Sequence, residues 1–174
     1  LLQSGSAEDV VISIESNHRA IAKGGSATIP TPVIGVVIAN ATVGGTVDVY
    51  LGGTINHGGD LTFELHTDNQ AIAIGEAMAI GPVAGTGVDS QAVVNPTVNT
   101  FVSPNSNVTI GGDFTIRTLS ESTAEAVSRG SSYAIGPAVG VALANATNSP
   151  TISTFIGHDA TLNIGGSLTV ETLH

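Results

Sequence analysis

Five histidines, His18, His57, His66, His158 and His174, are the side chains in this sequence best suited to metal ligation. They show no paired short spacing, and a metal site needs converging His or carboxylate ligands. His57 and His158 fall beside turn-forming residues, so solvated surface is their expected place. His66 and His174 follow a recurring strand at nearly equivalent positions. Asp60 and Asp113 each follow a Gly-Gly pair, which raises calcium. That ion takes six to eight oxygen ligands, and the GGxGxDxUx calcium nonapeptide is absent; turn capping is the expected role of these Asp residues. Glycoside cleavage needs two carboxylates a few Å apart. Glu64, Asp68 and Glu76 lie close in sequence, as do Glu121 and Glu125, but acids along strands more often solubilise a sheet and block edge pairing.

The sequence holds no GxSxG, HExxH or P-loop pattern. Its glycine-rich stretches GEAMAIG and GPVAGTG lack basic residues, which argues against phosphate binding. Thr97, Thr100, Thr151 and Thr154 raise a flat threonine array of the ice-binding kind, although threonine is also ordinary strand filler. Asn40, Asn107 and Asn145 head N-x-T sequons, and asparagine also suits turns. No catalytic, cofactor-binding or metal-ligating residue is assigned, and no cofactor is expected.

These residues sit in a repeat. GGDLTFELHT (Gly58 to Thr67), GGDFTIRT (Gly111 to Thr118) and GGSLTVET (Gly165 to Thr172) are copies, and AEDVVISIES (Ala7 to Ser16) is a worn one. Aligned on Val10, Leu61, Phe114 and Leu168, they recur after 51, 53 and 54 residues. Within each copy apolar residues alternate with polar ones, the pattern of a strand buried on one face; Gly-Gly is expected as a turn that tolerates positive φ.

Each copy leads into a small-residue run: Arg19 to Gly25, Gln70 to Ile80, and Ala124 to Ile135. Internal glycine and even-spaced alanines favour strand, with helix as the alternative. A proline corner follows, PTPVIG with Pro32, AIGPVAG with Pro82, or AIGPAVG with Pro137. GVVIANAT (Gly35 to Thr42) and GVALANAT (Gly140 to Thr147) come next. TVDVYLG, TVNTFVS and TISTFIG then carry Tyr50, Phe101 and Phe155 in register. A turn and a last short strand close the unit; the first unit's link is about two residues shorter. Each unit thus offers about five short strands. The expected units are 7–57, 58–110 and 111–164, with a partial unit 165–174, in a single segment spanning 1–174.

A period of this length points to units that bury their apolar faces only against neighbours. The expected fold is all-β: a right-handed parallel β-solenoid (β-helix) of roughly 51–54-residue repeats, with Leu61, Phe114 and Leu168 in one ladder and Tyr50, Phe101 and Phe155 in another. Spacing alone leaves open whether a unit is one wide coil or two. Composition agrees. Aromatics are 3% of the 174 residues and charged residues 10%, with 22 Gly and no Cys or Trp. Small and β-branched apolar residues suit thin layers between sheets. The net charge of −10 argues against nucleic acid, which needs basic footprints. The absence of Cys excludes disulfides and thiolate metal sites. No run of about 18 apolar residues predicts a membrane-spanning helix.

The order GG(D/S)-L/F-T-V/I, then AIGPxxGVAxANAT, then TxxTFIGxxAxLxIGG resembles repeats of large bacterial surface proteins, the filamentous-haemagglutinin-like and leukotoxin-type adhesins. The resemblance covers essentially the whole chain and brings no catalytic residues with it. It implies export, a bacterial cell-surface or extracellular location, and roles in adhesion, aggregation or biofilm. The resulting expectation is a non-enzymatic stalk or fibre segment, part of a longer protein, that associates with itself end to end, with a host or neighbouring cell surface or glycan as a further partner. A carbohydrate-binding or carbohydrate-cleaving β-helix is the alternative, and an ice-binding solenoid a third reading.

Overall fold

The computed structural model describes residues 2–3, 8–29 and 32–174. Leu1, the unit start at Ala7, and Pro30 and Thr31 of the first proline corner lie outside the described residues. The described chain is all-β, with no helix. Its strands are β1 (Leu2–Gln3), β2 (Val10–Thr28), β3 (Val33–Leu51), β4 (Thr54–His57), β5 (Leu61–Gly81), β6 (Ala84–Val102), β7 (Asn107–Ile110), β8 (Phe114–Ala134), β9 (Ala138–Asn148), β10 (Thr151–Ile156), β11 (Thr161–Ile164) and β12 (Leu168–Leu173).

These strands form three parallel sheets. A small sheet runs β1-β4-β7-β11. The sheet called B here runs β2-β5-β8-β12. The sheet called C runs β3-β6, with β6 also pairing β9 and β10. The chain visits small sheet, B and C in turn, so each strand pairs with its counterpart one visit later. Val10 pairs with Leu61, Leu61 with Phe114, and Phe114 with Leu168. Hydrogen bonds between counterpart side chains and backbones span 51, 53 and 54 residues. The link between Leu51 and Thr54 is Gly52-Gly53, where the next visit uses Ser103 to Ser106.

The expected five short strands per unit are fewer and longer. The recurring strand and the small-residue run are one element, since β2, β5 and β8 have 19, 21 and 21 residues. The run is strand, not helix, and Ala71, Ala73, Ala77 and Ala79 point inward, at most 5% exposed. In-out parity is preserved from Leu61 through Ala79, so nothing forces a turn. The stretches expected as third and fourth strands also merge in β3 and β6. Gly45 (φ 104), Pro96 and Pro150 mark the boundary between them. Only at Pro150 does the strand break, separating β9 from β10; proline brings no ladder N–H to this position.

The core tapers across the section. Where the three sheets meet it is built of Leu51, Ile55, Leu61, Phe63, Val102, Val108, Ile110, Phe114 and Ile116. Farther along B and C it thins to Ala39, Ala41, Val43, Ala71, Ala73, Ala92 and Val94, then to Val37, Ala77 and Val88. A short third side holds the long sheets apart at one end, so large side chains fit only there. In the thin part valine faces glycine: a Cβ on Gly24 would lie 2.6 Å from Val37 Cγ1, and one on Gly75 2.6 Å from Val88 Cγ1. The scarcity of aromatics follows from this geometry, because a slab filled by methyl groups has no room for rings.

Candidate functional site: ladders at the corner and on the outer faces

The corner before each B strand, Gly-Gly-Asp ahead of β5 and β8, is the most specific local device in the fold. Asp9 Oδ1 accepts the backbone N–H of Asp60 at 3.4 Å, Asp60 Oδ1 that of Asp113 at 2.7 Å, and Asp113 Oδ1 that of Ser167 at 2.7 Å. Each carboxylate is thus bonded to the corner of the following unit. The glycines serve close approach rather than positive φ, which corrects the turn expectation. A Cβ on Gly111 would lie 2.3 Å from the Gly58 carbonyl oxygen, and one on Gly112 2.0 Å from Asp60 Oδ1; Gly165 and Gly166 repeat both contacts one unit on. Left-handed backbone occurs instead at Gly45, Gly53, Asn105 and Asp159. Asn105 and Asp159 are counterparts in the turns after β6 and β10.

Further rows run along the outer faces. Tyr50, Phe101 and Phe155 stack with centroids 5.5 Å and 4.9 Å apart. Both faces of Phe101 are therefore covered by neighbouring rings. Beside them Asn99 Nδ2 donates to Asp48 Oδ1 at 2.8 Å. On sheet B, Arg117 donates through Nε and Nη2 to Glu64 Oε2 at 2.8 and 2.6 Å, and these bonds hold the Glu64 carboxyl below its ordinary value, against a smaller opposing effect of burial. Arg129 Nη1 meets Glu76 Oε1 at 2.7 Å.

The residues singled out by chemistry do not converge. Among the described residues no three of His, Asp and Glu are grouped to hold a metal ion. His158 is exposed beside Asp159, and His18 lies near Ser16 on β2. His66 is exposed on β5 and pairs with Leu119. His57 departs from expectation: it is 6% exposed, in the column of Ile110 and Ile164, and its Nε2 makes no hydrogen bond among the described residues. Alternation in Ile55-Asn56-His57 turns it inward.

Asp68 and Glu121 are direct neighbours across B, both exposed; Glu64 and Glu76 are engaged by arginine. The threonines divide between faces. Thr100 is fully buried and Thr154 turns to the same side, meeting the buried Thr118 and the exposed Thr172, whereas Thr97 and Thr151 point outward. Positions three apart on a strand face opposite ways, so the four do not make one flat array. Asn40 and Asn145 lie on strands, outward, rather than in turns.

Two further features are marked by no motif. An internal polar row joins Thr67 Oγ1 to Ser120 Oγ at 2.9 Å, with Asn69 buried beside it. A shallow depression of about 630 Å³ on the outer side of B is lined by Gly25, Ala27, Glu76, Met78, Arg129 and Tyr133, among others. Parity along the strands would have located both.

No family model, curated protein or solved structure matches the chain. No helix of the described residues is long and apolar enough to cross a membrane.

Proposed function

We propose that the chain is a segment of a right-handed parallel β-solenoid, one repeat of roughly 51–54 residues per wide coil, acting as a non-enzymatic stalk or fibre in bacterial cell-surface adhesion or a biofilm matrix. The observation that carries this reading is where the polar side chains spend their bonds. Asp60, Asp113, Glu64, Glu76 and Asp48 bond to the neighbouring unit, not to groups gathered round a cleft. Such side chains fix one unit on the next, which is the requirement of an extended scaffold.

In this reading, segments join end to end through the free backbone edges of the outermost strands. The resemblance to haemagglutinin-like and leukotoxin-type repeats adds export and a surface location. Electron microscopy of the purified chain, together with aggregation of cells displaying it, tests the proposal. Rods and enhanced aggregation are expected; compact particles with no effect on aggregation overturn it.

Glycan binding is a second reading, favoured by the exposed Tyr133 beside the Arg129–Glu76 pair in the depression on sheet B. Glycan-array binding abolished by Tyr133→Ala would establish it. Phe101 offers it no support, because both faces of that ring are already occupied.

A further inference from the structure

Sheet C differs from sheet B in charge. All four Lys and Arg residues of the chain, Arg19, Lys23, Arg117 and Arg129, lie on β2 and β8 in sheet B. The strands of sheet C carry only Asp48 and Asp89. Sheet C's outer face is also apolar beside the proline corner. Ile34, Val36 and Ile38 of β3, and Val139, Val141 and Leu143 of β9, are each more than half exposed. Their strand segments, VIGVVIA and AVGVALA, are apolar at both parities, which is the pattern of a parallel strand covered on both faces.

Between these two ridges β6 presents Gly85 and Gly87. Register places Gly85 between Ile34 and Val139, and Gly87 between Val36 and Val141. The face is therefore a trough one strand wide, floored by backbone and walled by aliphatic side chains.

From this shape we infer that the outer face of sheet C is a lateral docking surface for a second copy of the same chain. Trough and ridge are adjacent strands of one sheet, so the surface is complementary to itself. A two-fold axis parallel to the strands, offset by half a strand spacing, sets Ile34 and Val36 of each copy over Gly85 and Gly87 of the other. The Val139–Val141–Leu143 ridge then flanks the inserted one.

The exposed apolar surface of these six side chains is on the order of 700 Å², beyond the usual largest patch of a monomer and near the ~800 Å² each partner gives a standard interface. Charge selects the occupant. With no cation on its strands, this face offers anionic lipid headgroups nothing to pair with, and its two aspartates offer a polycation little to bind. The aliphatic ridge of a second copy, Ile34 and Val36 over Gly85 and Gly87, suits it. Asp89, which register places between Ile38 and Leu143, closes the trough at that end, and its carboxylate has to reach past Ile38 of the other copy to water. The inference rests on this face alone and holds whether or not the chain is an adhesive stalk.

Sedimentation equilibrium of the 174-residue chain up to about 1 mM is the test, run with three variants that circular dichroism confirms as folded. Wild type is expected to form dimers that tighten with added salt, which screens the like charges. Val36→Glu is expected to weaken pairing at least tenfold, as loss of a packed anchor does. Gly87→Val fills the trough while remaining compatible with the fold, because the nearest atom to a Cβ there is Val36 Cγ2 at 3.9 Å; it too is expected to lose the dimer. Val170→Lys, on the terminal strand β12, is expected to leave it intact. A wild-type monomer throughout overturns the inference. So does an oligomer lost only in Val170→Lys, which would be end-to-end joining, or binding to neutral phosphatidylcholine vesicles without self-association.

Discussion

Asp60 Oδ1 accepts the backbone N–H of Asp113 at 2.7 Å, and the same oxygen would lie 2.0 Å from a Cβ placed on Gly112. One atom thus explains two letters of the recurring motif: aspartate supplies the acceptor, and glycine leaves it room. Gly112→Ala is expected to destabilise the chain by about 2–3 kcal/mol through this clash and the one with the Gly59 backbone. Asp60→Ala is expected to cost about 1 kcal/mol for the lost bond. The double variant should cost less than the sum, since removing the carboxylate removes part of the clash. Urea midpoints of the four proteins give the coupling.

The valine-on-glycine contact in the thin layer yields a sharper test. Gly75→Ala places a methyl 2.6 Å from Val88 Cγ1 and 2.7 Å from Ser90 Oγ. Overpacking of this kind costs about 1–3 kcal/mol. Val88→Ala added to Gly75→Ala should recover part of that loss, although Val88→Ala alone destabilises by opening a cavity. Thermal unfolding of the three variants reads out the compensation.

His57 is an imidazole in a column otherwise continued by Ile110 and Ile164. Its Nε2 is buried without a hydrogen-bond partner among the described residues. His57→Ile is expected to raise stability by about 1–2 kcal/mol, by replacing an unsatisfied polar atom with an apolar side chain of similar reach. A lower denaturation midpoint in the variant would count against this account of the column.

The Glu64–Arg117 pair sets a pH dependence. Hydrogen bonding to Arg117 lowers the Glu64 folded-state value below the ordinary 4.5. A carboxyl depressed on folding stabilises the native state above its unfolded value and loses that contribution as pH falls through the folded one. The stability gap between wild type and Glu64→Gln should therefore be full at neutral pH and close progressively below pH 4.5. Because the Arg117 side chain is 39% exposed, screening limits the gap to about 1 kcal/mol. Urea titrations at a series of pH values follow it.

Phe101 lies between two stacked rings on an outer face. Phe101→Ala is expected to cost about 1–2 kcal/mol while leaving the circular dichroism spectrum unchanged, since each aromatic pair contributes about 0.5–1.5 kcal/mol beyond area burial. The smaller Tyr50→Ala loss, from one stack instead of two, is the internal comparison.

Register was the most legible property of the sequence. Pairing of Leu61 with Phe114 and Leu168, and of Tyr50 with Phe101 and Phe155, follows from spacing because identical units stack identically. Strand length was less legible. Gly75 looks like punctuation in a one-dimensional string, yet it is inward packing space for Val88. The Gly-Gly pairs likewise suggested a backbone conformation, and their true constraint comes from a residue one unit away that local pattern does not reveal. Parity would have placed Thr100 inside and Thr97 outside, and would have buried His57. The apolar outer face of sheet C was written in the non-alternating GVVIA and GVALA, where both parities are apolar.

The parallel ladders also determine how the molecule answers a pull. β5 and β8 are paired over 21 residues, and the backbone bonds between them lie across the strands, along the direction in which units succeed one another. Tension spread over the whole section loads that row of bonds together. Tension on a single strand end opens them in sequence. Such a body resists snapping far better than peeling, and the Asp60–Asp113 bond stands at the corner that a peel entering β5 at Leu61 meets first.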